Sequence, residues 1–251
     1  MVERRRRVSI GLQRTARRPT QHRWVTAWLL VFSFGSATTA WSGAQREEAL
    51  SDAVRHALHA AIAEQTPPQP VYAHAAQTRD FEAWLSLTQS RLQVFLAARS
   101  RHRSATPAPS AGLTHELDAP ALQRELLQTV WYESQRAGLD VSLVLGLIEV
   151  ESGFRKFAIS SAGARGYMQV MPFWTRLIGD GDPAKLFHMQ TNLRFGCVIL
   201  RNYLDIEQGD LFMALGRYNG SRGQSPYPNA VLAAQKKWAR DASPSAGGAG
   251  S

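Results

Sequence analysis

Two glutamates that lie two residues apart are the first candidates for chemistry in this sequence. Glu149 and Glu151 sit in the apolar stretch "LGLIEVESGF", residues 145–154. A helix turns residues two apart about 200° from one another, so these two carboxyl groups cannot both enter one cleft from a helix. A two-carboxylate glycosidase pair needs its carboxyl groups about 5–10 Å apart across one bond. We therefore predict that the two glutamates have separate roles.

Position distinguishes the two glutamates. Glu151 lies in the predicted last turn of its helix, where unpaired carbonyls disfavour a carboxylate. Burial beside Val150 and Phe154 would act in the same direction, so the pKa of Glu151 is expected to be raised, as suits a general acid. On position alone, a solvated surface glutamate is the commoner outcome. For Glu149 we expect a structural role, in which it pairs with an arginine across a helix contact.

The surrounding region has helical periodicity, and no convincing alternating strand is visible in it. Residues 113–240 are therefore predicted to form a mainly α domain. The stretch that carries Glu151 is predicted to be a helix with Asp140 as its N-cap and Gly153 just beyond its end. The Gly- and Ser-rich segment 157–172 is predicted to be a loop that enters a short helix before Pro172. Four further helices are predicted, over residues 122–137, 191–208, 211–220 and 227–240, and the second of these has an apolar stripe of Leu193, Cys197, Leu200 and Leu204.

The part of the chain before this domain has no recognisable chemical motif. Residues 46–65 are Ala-rich and helix-prone up to "TPPQP", and residues 81–99 have the spacing of an amphipathic helix. We predict a helical N-terminal region over residues 45–100 and a Pro- and Ser-containing linker over 101–112. The final segment, 241–251, is predicted to be a disordered tail. The apolar face of the second helix would comprise Phe81, Trp84, Leu85, Leu87, Leu92, Phe95 and Leu96.

Most of the positive charge belongs to the N-terminus. The chain of 251 residues has a net charge of +9, yet residues 1–23 alone carry eight arginines and one glutamate. An apolar run over 24–41 and then "SGA" follow, so residues 1–44 are predicted to be a signal peptide or an uncleaved signal anchor. Such a run has no use in a nucleic-acid-binding arm, and the remaining 21 basic and 19 acidic residues nearly balance. The sequence thus predicts export to the periplasm or cell envelope and no nucleic-acid partner.

Several other classes of site have no support in the sequence. Cys197 is the single cysteine, so an intramolecular disulfide is impossible, and its apolar neighbours predict a buried side chain. The seven histidines are scattered, "HELD" lacks the second histidine of a zinc helix, and no Gly-rich phosphate loop follows a strand. Gly-x-Ser-x-Gly, the nucleophile motif of α/β-hydrolases, is absent. We therefore expect no metal and no cofactor.

Three motifs favour a catalytic role for Glu151 over an ordinary surface position. They are "ESGF" at 151–154, "AISSAGARGYMQVMP" at 158–172 and "RYNG" at 217–220. In order and spacing they resemble the soluble lytic transglycosylase family, whose lysozyme-like helical catalytic domain cleaves bacterial cell-wall glycan. The resemblance covers about 122–238, including the Asn-led helix between the second and third motifs. It therefore implies a lysozyme-like catalytic domain with an N-terminal helical extension.

The resemblance also implies roles for individual residues. Glu151 corresponds to the catalytic glutamate, and Ser152 to a neighbour that hydrogen-bonds around it. Gly163, Ala164 and Gly166 correspond to a tight turn at which backbone approaches the sugar. The substrate-binding positions that the resemblance implies are Ser152, Ser160, Met168, Gln169, Met171, Tyr218 and Asn219.

Three features depart from the family pattern. Tyr167 stands where leucine is usual, Arg217 stands where alanine is usual, and Gly220 follows Asn219 without the usual spacer. Each implied residue also has an ordinary alternative: Met168 could be core packing, and Tyr218 a buried phenol. The departures bear on the details of sugar recognition rather than on the reaction.

The implied activity is cleavage of the β-1,4 bond between N-acetylmuramic acid and N-acetylglucosamine in peptidoglycan, leaving a 1,6-anhydromuramoyl end. One glutamate would act first as acid and then as base, with Tyr218 and Gln169 orienting the glycan. A hydrolytic muramidase is the alternative that would need a second carboxylate, for which Asp180 and Asp182 are candidates, although "GDGDP" is typical of a turn. A non-catalytic wall-binding or secretion-apparatus component is the other alternative. The implied partner is the peptidoglycan strand, with possible membrane anchoring through residues 24–41.

Overall fold

The computed structural model describes residues 45–63, 75–104 and 116–239. Within these ranges the chain is helical, with short 3-10 turns at Glu116–Asp118 and Pro183–Phe187 and no strand beyond two isolated bridges, which join Arg165 to Ile159 and Val170. The predicted mainly α fold is confirmed. The helices are α1 Asp52–Ala63, α2 Ala75–Ser104, α3 Pro120–Arg136, α4 Val141–Glu151, α5 Phe173–Ile178, α6 Met189–Ile206, α7 Leu211–Asn219 and α8 Pro226–Ala239.

Helix α1 begins later than its composition predicts. We expected a helix from Arg46, but residues 45–51 are not helical and α1 starts at Asp52. Ser51 fixes this start, because its Oγ accepts a hydrogen bond from the backbone N–H of Val54 at 3.4 Å, as an N-cap side chain does. The prediction was wrong for residues 46–51, because helix propensity alone did not identify the capping serine.

Helix α2 packs on the predicted catalytic domain. Its residues Phe81, Leu85, Leu92 and Leu96 are buried as predicted, whereas Leu87, which we had placed on the same face, is 40% exposed. The helix continues to Ser104, so it extends into the segment predicted to be a linker, and residues 105–112 of that segment lie outside the described ranges.

The contact between α2 and the predicted catalytic domain includes aromatic rings. The Phe95 ring meets the Phe154 ring edge-to-face with centroids 5.4 Å apart, and the Trp238 ring of α8 lies 5.4 Å from Phe154. Such edge-to-face pairs contribute beyond their buried area. The N-terminal helix is thereby joined directly to the "ESGF" motif.

Helices α4 and α8 cross at very short range, and a glycine makes this possible. A Cβ atom on Gly146 would lie 2.6 Å from the backbone N of Gln235, a distance that real Cβ contacts do not reach. Asp140 caps the start of α4 as predicted, accepting from the N–H groups of Ser142 at 2.7 Å and Leu143 at 3.1 Å. This crossing brings the start of α8 beside the end of α4.

The loop before α5 differs from its prediction in one respect. We expected a short helix before Pro172, but the short helix begins after it, at Phe173. Proline fits the start of a helix because its fixed φ is already helical and its missing N–H would have no helical partner there.

A buried ion pair joins α3 to α6. The Arg194 guanidinium donates to Glu133 at 2.9 Å, and the two side chains are 4% and 1% exposed. Arg194 and Arg136 also donate to the carbonyls of Ile62 and Ala61, which end α1. Cationic groups at a helix C-terminus satisfy its unpaired carbonyls. The pair therefore connects three helices.

The predicted apolar stripe of α6 is confirmed, since Leu193, Cys197, Leu200 and Leu204 are all buried. Burial also raises the pKa of the Cys197 thiol well above its usual value, as expected for a packing residue.

The predicted signal segment 1–44, with its apolar run 24–41, and the whole predicted tail 241–251 lie outside the described residues. Within the described ranges, the helices lack the combination of length and apolar character that a membrane span requires.

Candidate active site

Glu151 ends α4 and is held by a tyrosine from α8. Its side chain is 5% exposed, and the Tyr227 hydroxyl donates to Glu151 Oε1 at 2.5 Å. Tyr227 itself is fully buried. One carboxyl oxygen of Glu151 is therefore fixed by a phenol, and the other remains for a proton.

The electrostatic surroundings keep Glu151 protonated near neutral pH. Burial raises its pKa from 4.5 to about 8, and the hydrogen bond from Tyr227 acts in the opposite direction but is weaker. Burial also raises the pKa of Tyr227 well above its usual value, so the phenol keeps its proton and acts as the donor. A carboxylic acid that stays neutral at pH 7 has the protonation state of a general acid.

Glu149 faces a different part of α8. The Lys237 ammonium lies 2.7 Å from its Oε1, and the Trp238 indole N–H donates to its Oε2 at 2.9 Å. The predicted separation of the two glutamates by helix geometry is thus observed. The prediction of an arginine partner for Glu149 was wrong, because α8 offers a lysine ammonium and an indole N–H at this position.

The backbone of Met168 is held from both sides. Its N–H donates to Asn192 Oδ1 at 2.8 Å, and its carbonyl accepts from the Tyr218 hydroxyl at 2.8 Å. Its side chain is fully buried against Gly196 of α6, where a Cβ atom would lie 2.3 Å from the Met168 sulfur. The Met-Gln motif is therefore positioned by α6 and α7 together.

Gln169 has an unusual backbone that its own side chain supports. Its φ is +49°, a conformation that few residues other than glycine adopt. Its Nε2 donates to the carbonyls of Gly166 at 2.8 Å and Ala158 at 3.1 Å. Both amide hydrogens therefore stabilise the loop, and a contact of Gln169 with substrate, which stays a prediction, would fall to its Oε1.

The other predicted substrate-binding residues differ in exposure. Ser160 and Met171 are partly exposed, and Ser160 Oγ accepts from the backbone N–H of Ala164 at 3.0 Å. Ser152 is buried, and its Oγ donates to the Ile148 carbonyl at 3.2 Å. Asn219 is 7% exposed, and within the described residues its Nδ2 has no hydrogen-bond partner. Their roles toward substrate remain predictions.

Two tyrosines surround Glu151, and the sequence identified only one. Tyr218 is fully buried, which raises its pKa well above the usual value, and the charge of Glu151 adds to this shift. Its hydroxyl, however, donates to the Met168 carbonyl, and the tyrosine bonded to Glu151 is Tyr227. Tyr227 follows the third motif in "SPYP", at the start of the predicted helix 227–240. No local pattern singled it out.

Arg217, one of the departures from the family pattern, joins an ion-pair cluster. Its Nε donates to Glu207 at 2.8 Å, and Arg222 also donates to Glu207, at 2.7 Å. The bond from Arg222, followed by that from Arg217, lowers the pKa of Glu207 to about 2. This cluster fixes the loop that follows "RYNG".

The two aspartates considered for a hydrolytic mechanism serve the turn that contains them. Asp182 caps the 3-10 turn by accepting from the N–H of Ala184 at 2.8 Å. Asp180 pairs with Lys185, and this bond lowers the pKa of Asp180. Across the described ranges no cluster of three or more His, Cys, Asp or Glu side chains could hold a metal ion.

The chain shares sequence with known proteins. Several relatives carry the name membrane-bound lytic murein transglycosylase C, among them the following three. The one from Glaesserella parasuis serovar 5 is 51% identical over 49 residues, 20% of this chain and 14% of that relative. The one from Mannheimia succiniciproducens is 49% identical over 81 residues, 29% of this chain and 23% of the relative. The one from Actinobacillus pleuropneumoniae serotype 5b is 38% identical over 85 residues, 31% and 23% of the two chains.

These matches cover at most 23% of the length of each of the three relatives. The match to the transglycosylase SLT domain family is longer and spans residues 128–239, from within α3 to the end of α8. It includes Glu151, both later motifs and Tyr227. Over residues 128–239 this chain is therefore similar to the transglycosylase SLT domain family.

Proposed function

We propose that this protein is a peptidoglycan lytic transglycosylase with Glu151 as its single acid and base. The observation that carries the proposal is the buried Glu151 carboxyl at the end of α4, bonded to Tyr227 and with its pKa raised by burial to about 8. The match of residues 128–239 to the SLT domain family and the names of the relatives support the same activity.

One carboxyl group suffices for both halves of the proposed reaction. Glu151 donates its proton to the glycosidic oxygen as the bond from that oxygen to C1 of N-acetylmuramic acid breaks. The C6 hydroxyl of the same sugar then forms a bond to C1 and gives its proton to Glu151. No water is consumed, and the product has a 1,6-anhydro end. Because the attacking hydroxyl belongs to the substrate, the entropy cost of bringing in a second reactant is avoided.

Tyr227 has a positioning role in this scheme. Its bond to Glu151 Oε1 fixes the rotation of the carboxyl group and directs the proton to the other oxygen. The same bond steadies the carboxylate that exists between the two steps. Charge-assisted hydrogen bonds of this kind are stronger than neutral ones.

The test is product analysis on purified sacculi. The wild-type chain should release muropeptides that are lighter by one water than hydrolytic products, and Glu151→Gln should release none. Glu149→Gln is the matched control, because Glu149 lies on the same helix but bonds to Lys237 and Trp238. It should keep most of the activity.

Two outcomes would contradict the proposal. Full turnover by Glu151→Gln would show that Glu151 is not the acid and base. Products with a reducing end would indicate a hydrolytic muramidase. The bonding of Asp180 and Asp182 within their own turn argues against the second outcome. Absence of any release by the folded wild-type chain would favour a non-catalytic wall-binding or secretion-apparatus component.

The place of action that we propose is the periplasm or cell envelope. The relatives are named membrane-bound, and residues 1–44 have the pattern of a signal peptide or anchor. Fractionation of cells that express the full chain, with and without residues 24–41, would test membrane attachment. If both forms fractionate with soluble periplasmic proteins, anchoring through this run is wrong.

A further inference from the structure

The non-helical segment before α1, residues 45–51, lies against the candidate active site, and we refer to it as the strap. Its first residue, Gln45, is 4% exposed although its side chain is polar. Gln45 Oε1 accepts from the Trp174 indole N–H at 2.9 Å and lies 3.4 Å from the backbone N of Met171, which also donates to it. Two N–H donors therefore converge on one amide carbonyl.

The residues that receive Gln45 adjoin the predicted cleft wall. Met171 belongs to the Met-Gln motif, and Trp174 lies one turn further on at the start of α5. Tyr218 is also near: burial raises the pKa of its hydroxyl, and the Gln45 side chain acts in the opposite direction. The carboxamide of Gln45 thus contacts Met171 of the second motif and Trp174, which follows that motif.

We infer that the Met171 N–H and the Trp174 indole N–H form a binding site for the amide carbonyl of an N-acetylated sugar, and that Gln45 occupies this site until substrate displaces it. The inference rests on the proposed function for the choice of sugar. A carboxamide and an acetamide present the same acceptor to these donors, and each offers one planar C=O group. A buried donor without an acceptor is unfavourable, so exchange of one amide for the other keeps both donors satisfied.

Two ion pairs hold the rest of the strap on the same face. Arg217 donates to Glu48 at 2.7 Å, and Arg176 lies 3.4 Å from Glu47. Arg217 is the residue that stands where the family usually has alanine, and its contact with Glu48 gives this departure a role. Glu48, Glu47 and Arg176 are substantially exposed, with side chains 44%, 52% and 61% accessible. The Glu47–Arg176 pair is exposed and contributes little. Release of the strap would also have to break the pair of Glu48 with Arg217, which is 19% exposed, and the packing of Leu50 on the core.

Occupation by Gln45 should lower the apparent affinity for glycan. When only a fraction of molecules has an open site, the apparent dissociation constant rises in inverse proportion to that fraction. Removal of the Gln45 carboxamide should therefore tighten glycan binding and leave the chemical step on Glu151 unchanged.

Binding of N,N′,N″-triacetylchitotriose to the full-length chain, measured by calorimetry, tests this. A Glu151→Gln background prevents turnover. Gln45→Ala should lower the dissociation constant about 3- to 10-fold. Gln89→Ala, which removes a glutamine that donates to the Pro120 carbonyl at 3.0 Å, is the matched control and should leave it unchanged. The deacetylated trimer of glucosamine should gain nothing from Gln45→Ala.

A second readout follows the site itself. The indole N–H resonance of Trp174, identified by its loss in Trp174→Phe, should shift in Gln45→Ala and shift again when triacetylchitotriose is added. If Gln45→Ala does not fold, Glu48→Gln replaces it, because this change loosens the strap at an exposed ion pair. It should tighten binding in the same direction by a smaller factor, with Glu82→Gln as the exposed control.

Unchanged or weaker binding in Gln45→Ala would overturn the inference, as would an equal gain for the deacetylated trimer. These outcomes are separate from those that test the function. Failure of the wild-type chain to digest sacculi would contradict the proposed activity, whereas the oligosaccharide and the Trp174 resonance would still report on the amide site. Conversely, if the wild-type chain digests sacculi but Gln45→Ala does not change oligosaccharide binding, only the inference about the amide site is contradicted.

Discussion

The hydroxyl of Tyr227 donates to Glu151 Oε1 at 2.5 Å across a separation of 76 residues. The two residues belong to α8 and α4, which approach each other closely at Gly146. Tyr227 is the only hydrogen-bonding partner of the Glu151 side chain among the described residues. The acid proposed to cleave glycan is therefore oriented by a residue outside the three recognisable motifs.

Replacement of this tyrosine tests its positioning role. Tyr227→Phe removes the bond that lowers the pKa of Glu151, so that pKa should rise above about 8. The alkaline limb of the pH–rate profile should move to higher pH. We also expect kcat to fall about 10- to 100-fold, because the carboxyl group is no longer fixed. The measurement is the rate of anhydromuropeptide release between pH 6 and pH 10.

Tyr132→Phe is the control for this experiment. Tyr132 lies on α3, partly exposed, where the Arg136 guanidinium lies 5.8 Å from the centre of its ring. Its replacement should change neither kcat nor the pH profile. If Tyr227→Phe leaves the alkaline limb in place or moves it to lower pH, the hydrogen bond does not control the ionisation of Glu151.

Glu151 should also cost stability at alkaline pH. Folding raises the pKa of Glu151 from 4.5 to about 8. The contribution of its protonated form to the free energy of unfolding is therefore complete below about pH 4.5 and is lost as the pH rises through about 8. Glu151→Gln does not titrate. Its free energy of unfolding should therefore exceed that of the wild type increasingly from pH 5 to pH 9, by at most about 5 kcal/mol.

Urea denaturation at several pH values would measure this difference. Glu149→Gln serves as the comparison, because Glu149 is paired with Lys237 and should give no increase of this kind. A constant difference between Glu151→Gln and wild type from pH 5 to pH 9 would mean that Glu151 does not ionise with a raised pKa.

The close crossing of α4 and α8 should tolerate no side chain at its centre. In Gly146→Ala the new Cβ would lie 2.6 Å from the backbone N of Gln235, so the helices must separate. We expect a loss of about 1–3 kcal/mol in the free energy of unfolding. Activity should fall as well, because separation moves Tyr227 away from Glu151.

Thermal unfolding and sacculus digestion of the same samples would check both effects. Gly146→Ser should be worse than Gly146→Ala, since it adds one more atom. If Gly146→Ala is as stable and as active as the wild type, the crossing is looser than this structure indicates.

The ion pair between Glu133 and Arg194 should be far more important than its exposed counterparts. Glu133→Ala leaves a guanidinium that is 4% exposed without its carboxylate. Removal of one partner of a buried pair typically costs about 3–5 kcal/mol. Glu82→Ala, which breaks an exposed pair with Arg124 at 2.8 Å, should cost under about 1 kcal/mol.

Denaturant unfolding of both variants compares the two pairs directly. The contrast depends on burial, since both pairs join a carboxylate to an arginine on another helix. Equal losses in the two variants would show that burial of the Glu133 pair does not determine its contribution.

Much of the local structure followed from the sequence. The start of α4 at Asp140, its end before Gly153 and the apolar stripe of α6 were predicted from neighbours within one or two helical turns. The opposed directions of Glu149 and Glu151 followed from the helical repeat alone. The three motifs identified the family and singled out Glu151, because their order and spacing are properties of the chain itself.

Local composition was a poorer guide where a single residue overrode it. Residues 46–51 have helix-forming composition, yet the hydroxyl of Ser51 accepts from Val54 and α1 starts after it. Pro172 has the same effect in the other direction, because α5 begins directly after it. In both cases one side chain or ring, and not the average propensity, fixed the boundary.

The tertiary structure alone decided which groups satisfy the buried polar atoms. Tyr227 on Glu151, Lys237 and Trp238 on Glu149, and Gln45 on Trp174 join residues 76 to 129 positions apart. No periodicity or motif encodes such pairs, because they depend on how separate helices pack. A buried acceptor requires a donor, but the sequence does not say from which helix the donor comes. The sequence thus predicted Glu151 as the acid, and the packing of α8 on α4 determined that Tyr227 holds its carboxyl group.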